Sequence, residues 1–187
     1  MADNYLENRM AEHMAGGRNN RSRTAHPSSA ALRLGRRRVL VAGTSPAAGT
    51  IAAEFATAGC PAALLGGGHA VGARCFPPDA DPAAAIDTLI HDWHEIDILI
   101  LAGEAQGIER TLHERRHLIP EPLRSTFRRT IAIGTECDCP EAITLSISGP
   151  CYTEAIAPAL ARLCLYFCSP GSELLLGTHI PLTTRQR

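Results

Sequence analysis

The sequence predicts a doubly wound α/β domain, and three features carry that expectation. A short β-branched run, Val39-Leu40-Val41-Ala42, stops at the glycine turn Gly43-Thr44-Ser45-Pro46-Ala47-Ala48-Gly49. It passes into a helical pattern from Thr50 to Gly59 with Ile51 and Phe55 on one face. Short strand and helix patterns then alternate along the chain. Ile96 to Gly103 is a nearly continuous apolar run, the composition of a strand buried on both faces of a parallel sheet.

Taken in order, residues 1–15 read as an N-terminal helix or arm, because Leu6, Met10 and Met14 share one helical face that Asp3 can cap. Alone, a helix of about three turns is marginal, so it either frays or docks its apolar stripe. Residues 16–38 are rich in Gly, Asn, Ser and Arg, lack periodicity and end in Arg36-Arg37-Arg38, which predicts a flexible basic linker. Residues 39–187 form the domain. After the first strand and helix, Ala62 to Leu65 is a second strand running into Gly66-Gly67-Gly68, and a third ends near Phe76 before Pro77-Pro78-Asp79. Asp81 to Trp93 carries Ile86, Leu89, Ile90 and Trp93 at helical spacing and leads into the apolar strand at Ile96.

With 187 residues, 45% of them hydrophobic, the chain supplies one ordinary core rather than two. A net charge of -1 gives no drive toward nucleic acid or an anionic membrane, so neither is expected as a partner. No segment approaches the roughly 20 apolar residues of a membrane-spanning helix. Seven scattered cysteines without a leading apolar run fit reduced thiols in the cytoplasm better than a disulfide framework. All 18 basic Lys/Arg positions are arginine, so no lysine-dependent chemistry is available.

In this order of parts the chain resembles the short-chain dehydrogenase/reductase family, which implies a shortened Rossmann-like fold of three layers. The family's TGxxxGxG turn lies over Ala42 to Gly49: Gly43 and Gly49 match, Thr becomes Ala42 and the middle glycine becomes Ala47. Such glycines let the backbone approach a pyrophosphate held at a helix N-terminus, so the methyl of Ala47 is expected to crowd the phosphates. The resemblance places Asp79 at the adenine and Ile100-Leu101-Ala102-Gly103 on the strand that usually ends in Asn-Asn-Ala-Gly, with both asparagines replaced. Gly43, Thr44, Ala47, Gly49, Asp79, Ala102 and Gly103 are thereby the candidate cofactor-binding residues. Ala142 to Pro150 resembles the sixth strand with its Pro-Gly turn exchanged, Ile156 to Gly171 the last helix, and Leu174 to Leu182 the seventh strand.

Between the fourth and sixth strands lie about 40 residues where the family has roughly twice as many, so one element is missing. One alignment keeps Glu121 to Ile133 as the helix that follows the family's Tyr-x-x-x-Lys, placing His117 at the tyrosine and Glu121 at the lysine. The other makes Arg129 to Thr135 the fifth strand, because its β-branched residues favour extended structure, and deletes the helix. The first is preferred. The second leaves about seven residues before Ile143, too few for a parallel crossover, and would require an antiparallel hairpin. Either way the family's acid, its lysine helper and its substrate loop are lost: Tyr152 follows the Gly149-Pro150 turn, which leads almost directly into the last helix.

Other constellations read as structural. Cys137-Asp138-Cys139 and His91-Asp92-Trp93-His94 each offer two metal donors rather than four, and are taken as loop cysteines and a solvated helix face. Cys164 and Cys168, one helical turn apart among Leu163, Leu165 and Phe167, are taken as core thiols. His117 and Glu121 are taken as an exposed charged turn. No catalytic residue and no metal ligand is expected.

The functional expectation is a non-catalytic structural or regulatory protein, with no cofactor or NAD(P) if any. The alternatives are an NAD(P)-dependent oxidoreductase using unusual residues such as His117, and a nucleotide-binding sensor without turnover. A homo-oligomer is expected, because deletions should bare apolar sheet, with Leu163, Phe167, Leu174 and Leu176 available for an isologous contact. A different protein partner is a further possibility.

Overall fold

The computed structural model describes residue 34 and residues 36–105, 107–125, 127–148, 155–169 and 171–183. The expected N-terminal helix, most of the expected linker, Tyr152 and the Gly149-Pro150 turn lie outside the described residues. The rest belongs to a unit running from Leu32 to Arg187.

Seven strands, β1 (Val39–Ala42), β2 (Ala62–Leu65), β3 (Arg74–Cys75), β4 (Ile98–Ala102), β5 (Arg129–Ile133), β6 (Ile143–Ser148) and β7 (His179–Thr183), form one sheet in the order β3-β2-β1-β4-β5-β6-β7. Every neighbouring pair is parallel. β1 and β4 are adjacent, with Val39 opposite Ile98 and Ala42 opposite Leu101, and every residue in both is buried. Their apolar composition is what burial on two faces demands.

Helices α1 (Ala47–Thr57), α2 (Pro82–Trp93), α3 (Ile108–Arg116) and α4 (Ala157–Phe167) make the outer layers. α2 has a clear sequence logic: Asp81 caps it by accepting from the N–H groups of Ala83 and Ala84, Pro82 opens it, and His94 ends it in the left-handed conformation. α1 and α4 pack side by side on one face, closing Ile51, Phe55, Leu160 and Cys164 over Val39, Val41, Ile98, Ile100, Ile131 and Leu145. α2 and α3 cover the other face through Ile86, Leu89 and Ile108 on Leu40, Leu65, Leu99 and Leu101. The three-layer, doubly wound architecture is as the sequence predicts.

The domain reaches back beyond its expected start at residue 39. Leu34 is buried in the core of the α1–α4 face, and Arg38 clamps the buried Asp97 at the foot of β4. The Arg38 backbone N–H donates to Asp97 Oδ2 at 2.8 Å, Nε to Oδ2 at 2.7 Å and Nη2 to Oδ1 at 3.0 Å, while Nη1 caps the Trp93 carbonyl at 2.8 Å. The end of the basic run is therefore structural rather than linker.

The preferred alignment of residues 104–142 is overturned. Arg129–Ile133 is a strand, and Glu121–Leu123 is a single 3-10 turn rather than a helix carrying catalytic positions. The hairpin expected of the other alignment is absent too, since β5 and β6 run parallel. Their connection, residues 134–142, is short because the paired register spans only Ile131 to Ile133 against Ile143 to Leu145. At roughly 3.3 Å per residue the chain need step back only about 7 Å along the strand, which a loop can do without a helix.

That loop replaces a helix on the α2–α3 side, and the strands beyond it show the consequence. β6 alternates Ile143, Leu145 and Ile147 toward α4 with Thr144 and Ser146 on the other face; β7 alternates Ile180 and Leu182 with His179, Pro181 and Thr183. The face without a helix is lined by hydroxyls and a histidine, with His179 Nε2 and Ser146 Oγ 2.8 Å apart. The expectation that deletion bares apolar sheet is thus corrected: polar residues at every second position let this face meet water.

Candidate functional site

The strand order reverses between β1 and β4, and in open α/β sheets ligands bind beyond the carboxyl ends of the strands at such a switch point. A cleft of about 640 Å³ lies there, lined by Thr44, Ser45, Pro46, Gly103, Glu104, Gly134, Thr135 and Glu136. Its volume falls in the range of about 300–1,000 Å³ typical of small-molecule sites.

Glycines following successive strands build the floor. The Gly43 N–H donates to the Leu65 carbonyl at 2.9 Å, that of Gly103 to Ile133 at 3.1 Å and that of Gly134 to Leu145 at 2.8 Å, locking the strand ends together. Gly43 has φ +128°, and a Cβ there would stand 2.1 Å from the Ala102 carbonyl oxygen. Only glycine lets these two turns approach so closely. The same Ala102 carbonyl accepts from the Ser45 N–H at 3.0 Å, fixing the turn that starts α1.

The candidate cofactor residues divide accordingly. Thr44 and Gly103 line the cleft, with Gly43 and Ala102 supporting them from beneath. Gly49 instead packs under the loop after β2, where a Cβ would meet the His69 carbonyl oxygen at 2.6 Å. Asp79 is exposed in the turn after β3 and does not line the cleft. Ala47 is 3% exposed and its methyl belongs to the apolar core.

What occupies the helix entrance is Ser45. It is buried; its Oγ accepts from the Ala47 N–H at 3.2 Å and its carbonyl from the Ala48 N–H at 2.9 Å. Two of the first donors of α1, the groups that would hold an anion, are spent internally. The cleft wall adds Glu104 and Glu136 and, among the described residues, no basic side chain. Sequence reasoning missed Ser45, Glu104 and Glu136, although Ser-Pro before a helix is an entry signal and both glutamates closely follow the glycine that ends a strand.

The remaining candidates do not converge on this cleft. His117 ends α3 and its Nε2 lies 3.3 Å from His113 Nε2, while Glu121 pairs with Arg124 at 2.6 Å. His117 and Glu121 therefore form no acid/base pair. The Cys137 thiol donates to Glu109 Oε2 at 3.0 Å, and burial together with that carboxylate pushes its pKa up to about 12. Burial raises Cys139 as well. Cys164 and Cys168 are fully buried in the core, and burial takes Cys164 up to about 12. His91 and His94 are exposed, and among the described residues no three His, Cys, Asp or Glu side chains are grouped to hold a metal ion.

A second cavity, of about 120 Å³, lies at the opposite ends of β4 and β5 beneath α3. Two of its charges are paired: Asp97 is held by Arg38, and Arg116 by the buried Glu95 at 3.2 Å. It is too small for a nucleotide.

No family profile and no curated protein matches the chain. Solved structures do. A C-terminal deletion mutant of Thermoplasma acidophilum aldohexose dehydrogenase aligns with a TM-score of 0.55 and 14% identity, over 80% of this chain and 96% of that one. A putative 3-oxoacyl-reductase from Bacillus thuringiensis aligns with a TM-score of 0.55 and 12% identity, over 79% and 96%. A putative oxidoreductase from Escherichia coli K-12 aligns with a TM-score of 0.54 and 12% identity, over 79% and 95%. At such identities the likeness is one of fold. Among the described residues no helix is long and apolar enough to cross a membrane.

Proposed function

We propose that this chain, which has the fold of the short-chain dehydrogenase/reductase structures, is a non-catalytic member of that fold serving as a structural or regulatory protein. The observation that carries this reading is the connection between β5 and β6: residues 134–142 are a loop where the family resemblance calls for a helix bearing tyrosine and lysine. The chain has no lysine to lower a tyrosine pKa or hold a ribose. Among the described residues the tyrosine is Tyr166, on α4 and off the cleft wall. The cleft chemistry supports the same reading, because two carboxylates with no cation among the described lining residues disfavour a pyrophosphate.

Calorimetric titration with NAD, NADH, NADP and NADPH tests the reading. The expected result is no affinity tighter than millimolar, and micromolar affinity for any of the four would overturn it. The volume of the cleft and its glycine floor favour one second reading, a sensor for a small polar ligand without turnover, which the same calorimetry extended to neutral sugars and nucleosides would detect.

The regulatory reading includes self-association. Leu174 and Tyr166 are 93% and 54% exposed beside the edge of the sheet, whereas Phe167, expected at such a contact, is buried in the core. Sedimentation equilibrium of Leu174→Glu against the wild type should show a dimer weakened about tenfold or more. A monomeric wild type at tens of micromolar would refute the association. A cytoplasmic location belongs to this reading, supported by the free cysteines among the described residues.

A further inference from the structure

We propose that His113 and His117 chelate a divalent late first-row transition metal on the outer face of α3. The two residues are four apart, so their side chains emerge one above the other on the same helical face. Both are exposed, and their rings meet edge to face with Nε2 atoms 3.3 Å apart. Two nitrogens each about 2.05 Å from a common ion and 3.3 Å from each other subtend about 107° at that ion, close to the tetrahedral angle. The rings are thus separated as a chelate requires before any ion arrives.

A common ion requires both Nε2 lone pairs to turn toward it, with each ring in the Nδ1–H tautomer, and the exposure of both side chains leaves room for that rotation. The backbone holds the pair in place: His117 remains in helical conformation at the C-cap, and its carbonyl accepts from Arg124 Nη2 at 3.1 Å. The charge of Arg124 is offset by Glu121. Glu109, one turn before His113, lines the 120 Å³ cavity together with it and contributes a nearby negative charge.

Two imidazoles with the remaining positions open to water are a borderline donor set, which suits Cu²⁺, Ni²⁺ and Zn²⁺ and excludes Mg²⁺ and Ca²⁺; the order of affinity puts Cu²⁺ first. The site is distinct from the cleft at the carboxyl ends of the strands and does not depend on the function proposed for it.

The full chain is titrated with Ni²⁺ in a non-chelating buffer, alongside His113→Ala, His117→Ala, the double variant and His91→Ala as a control. Each single variant should lose about 30-fold or more in affinity, because one imidazole alone forfeits chelation. The double variant should be little worse than either single one, and His91→Ala should match the wild type. Cu²⁺ added to the wild type should give an electron paramagnetic resonance spectrum with two equatorial nitrogens, falling to one in each single variant. Melting without metal establishes that the variants fold, as both side chains are exposed. Equal affinity in the wild type and the double variant overturns the proposal, as does a loss confined to one of the two histidines.

Discussion

Replacing Asp97 with Asn should cost the fold on the order of 3 kcal/mol. The carboxylate is 1% exposed and accepts three hydrogen bonds from Arg38, two from the guanidinium and one from the backbone. Removing one partner of a buried ion pair costs about 3–5 kcal/mol, mostly because the other charge is left without compensation. Here Arg38 is 23% exposed, so water recovers part of that penalty and the lower end of the range applies. With a urea m-value of about 2–3 kcal/mol/M, the midpoint should fall by roughly 1 M or more. The pH dependence supplies an independent reading. Burial alone would raise the Asp97 carboxyl, but hydrogen bonds from Arg38 and Ser125 and the charge of Arg38 outweigh it and hold the group below its ordinary value. A carboxyl lowered in the folded state stabilises fully above its unfolded pKa of about 4, and that contribution disappears as pH falls through the folded value. Wild type should therefore lose stability faster than Asp97→Asn as pH drops below about 4. A loss under about 0.5 kcal/mol at neutral pH, or identical acid limbs, would refute the clamp and with it the inclusion of Arg38 in the domain.

Gly43→Ala should destabilise by at least about 3 kcal/mol in the same urea assay, because φ +128° is strained for alanine and the new methyl would overlap the Ala102 carbonyl; a change under about 1 kcal/mol would mean the two turns are not in contact. Alkylation at pH 8, read by peptide mapping, should label the exposed Cys75 first among the described cysteines. Cys137 and Cys164, with pKa values near 12, and the buried Cys60 and Cys168 should react at least about tenfold more slowly until the protein unfolds.

The centre of the sheet is legible in the sequence because both-face burial writes itself as unbroken apolar runs, as in Val39 to Ala42 and Ile98 to Ala102. The cap of α2 was equally plain at Asp81-Pro82. The segment between β4 and β6 was misread for two physical reasons. A parallel crossover ordinarily takes a helix, whereas a three-residue register needs only a loop. The alternation in Ile143 to Ser148 and His179 to Thr183 announces strands wet on one side and so marks the missing layer. The cleft was only partly legible: its glycines are backbone requirements visible as residue types, but that Ala47 turns inward and Ser45 consumes the helix donors depends on side-chain direction, which spacing does not encode.

The one-sided burial of β6 and β7 divides the molecule energetically. β1 and β4 are gripped by helices above and below, so exposing their amides requires the whole unit to open. β7 has one neighbour in the sheet and apolar support on one face, from Ile180 and Leu182 alone. Its hydrogen bonds can open in a partial transition that leaves the switch-point cleft intact. The edge of this domain is thereby a separable layer, able to open while the β1–β4 centre keeps its shape.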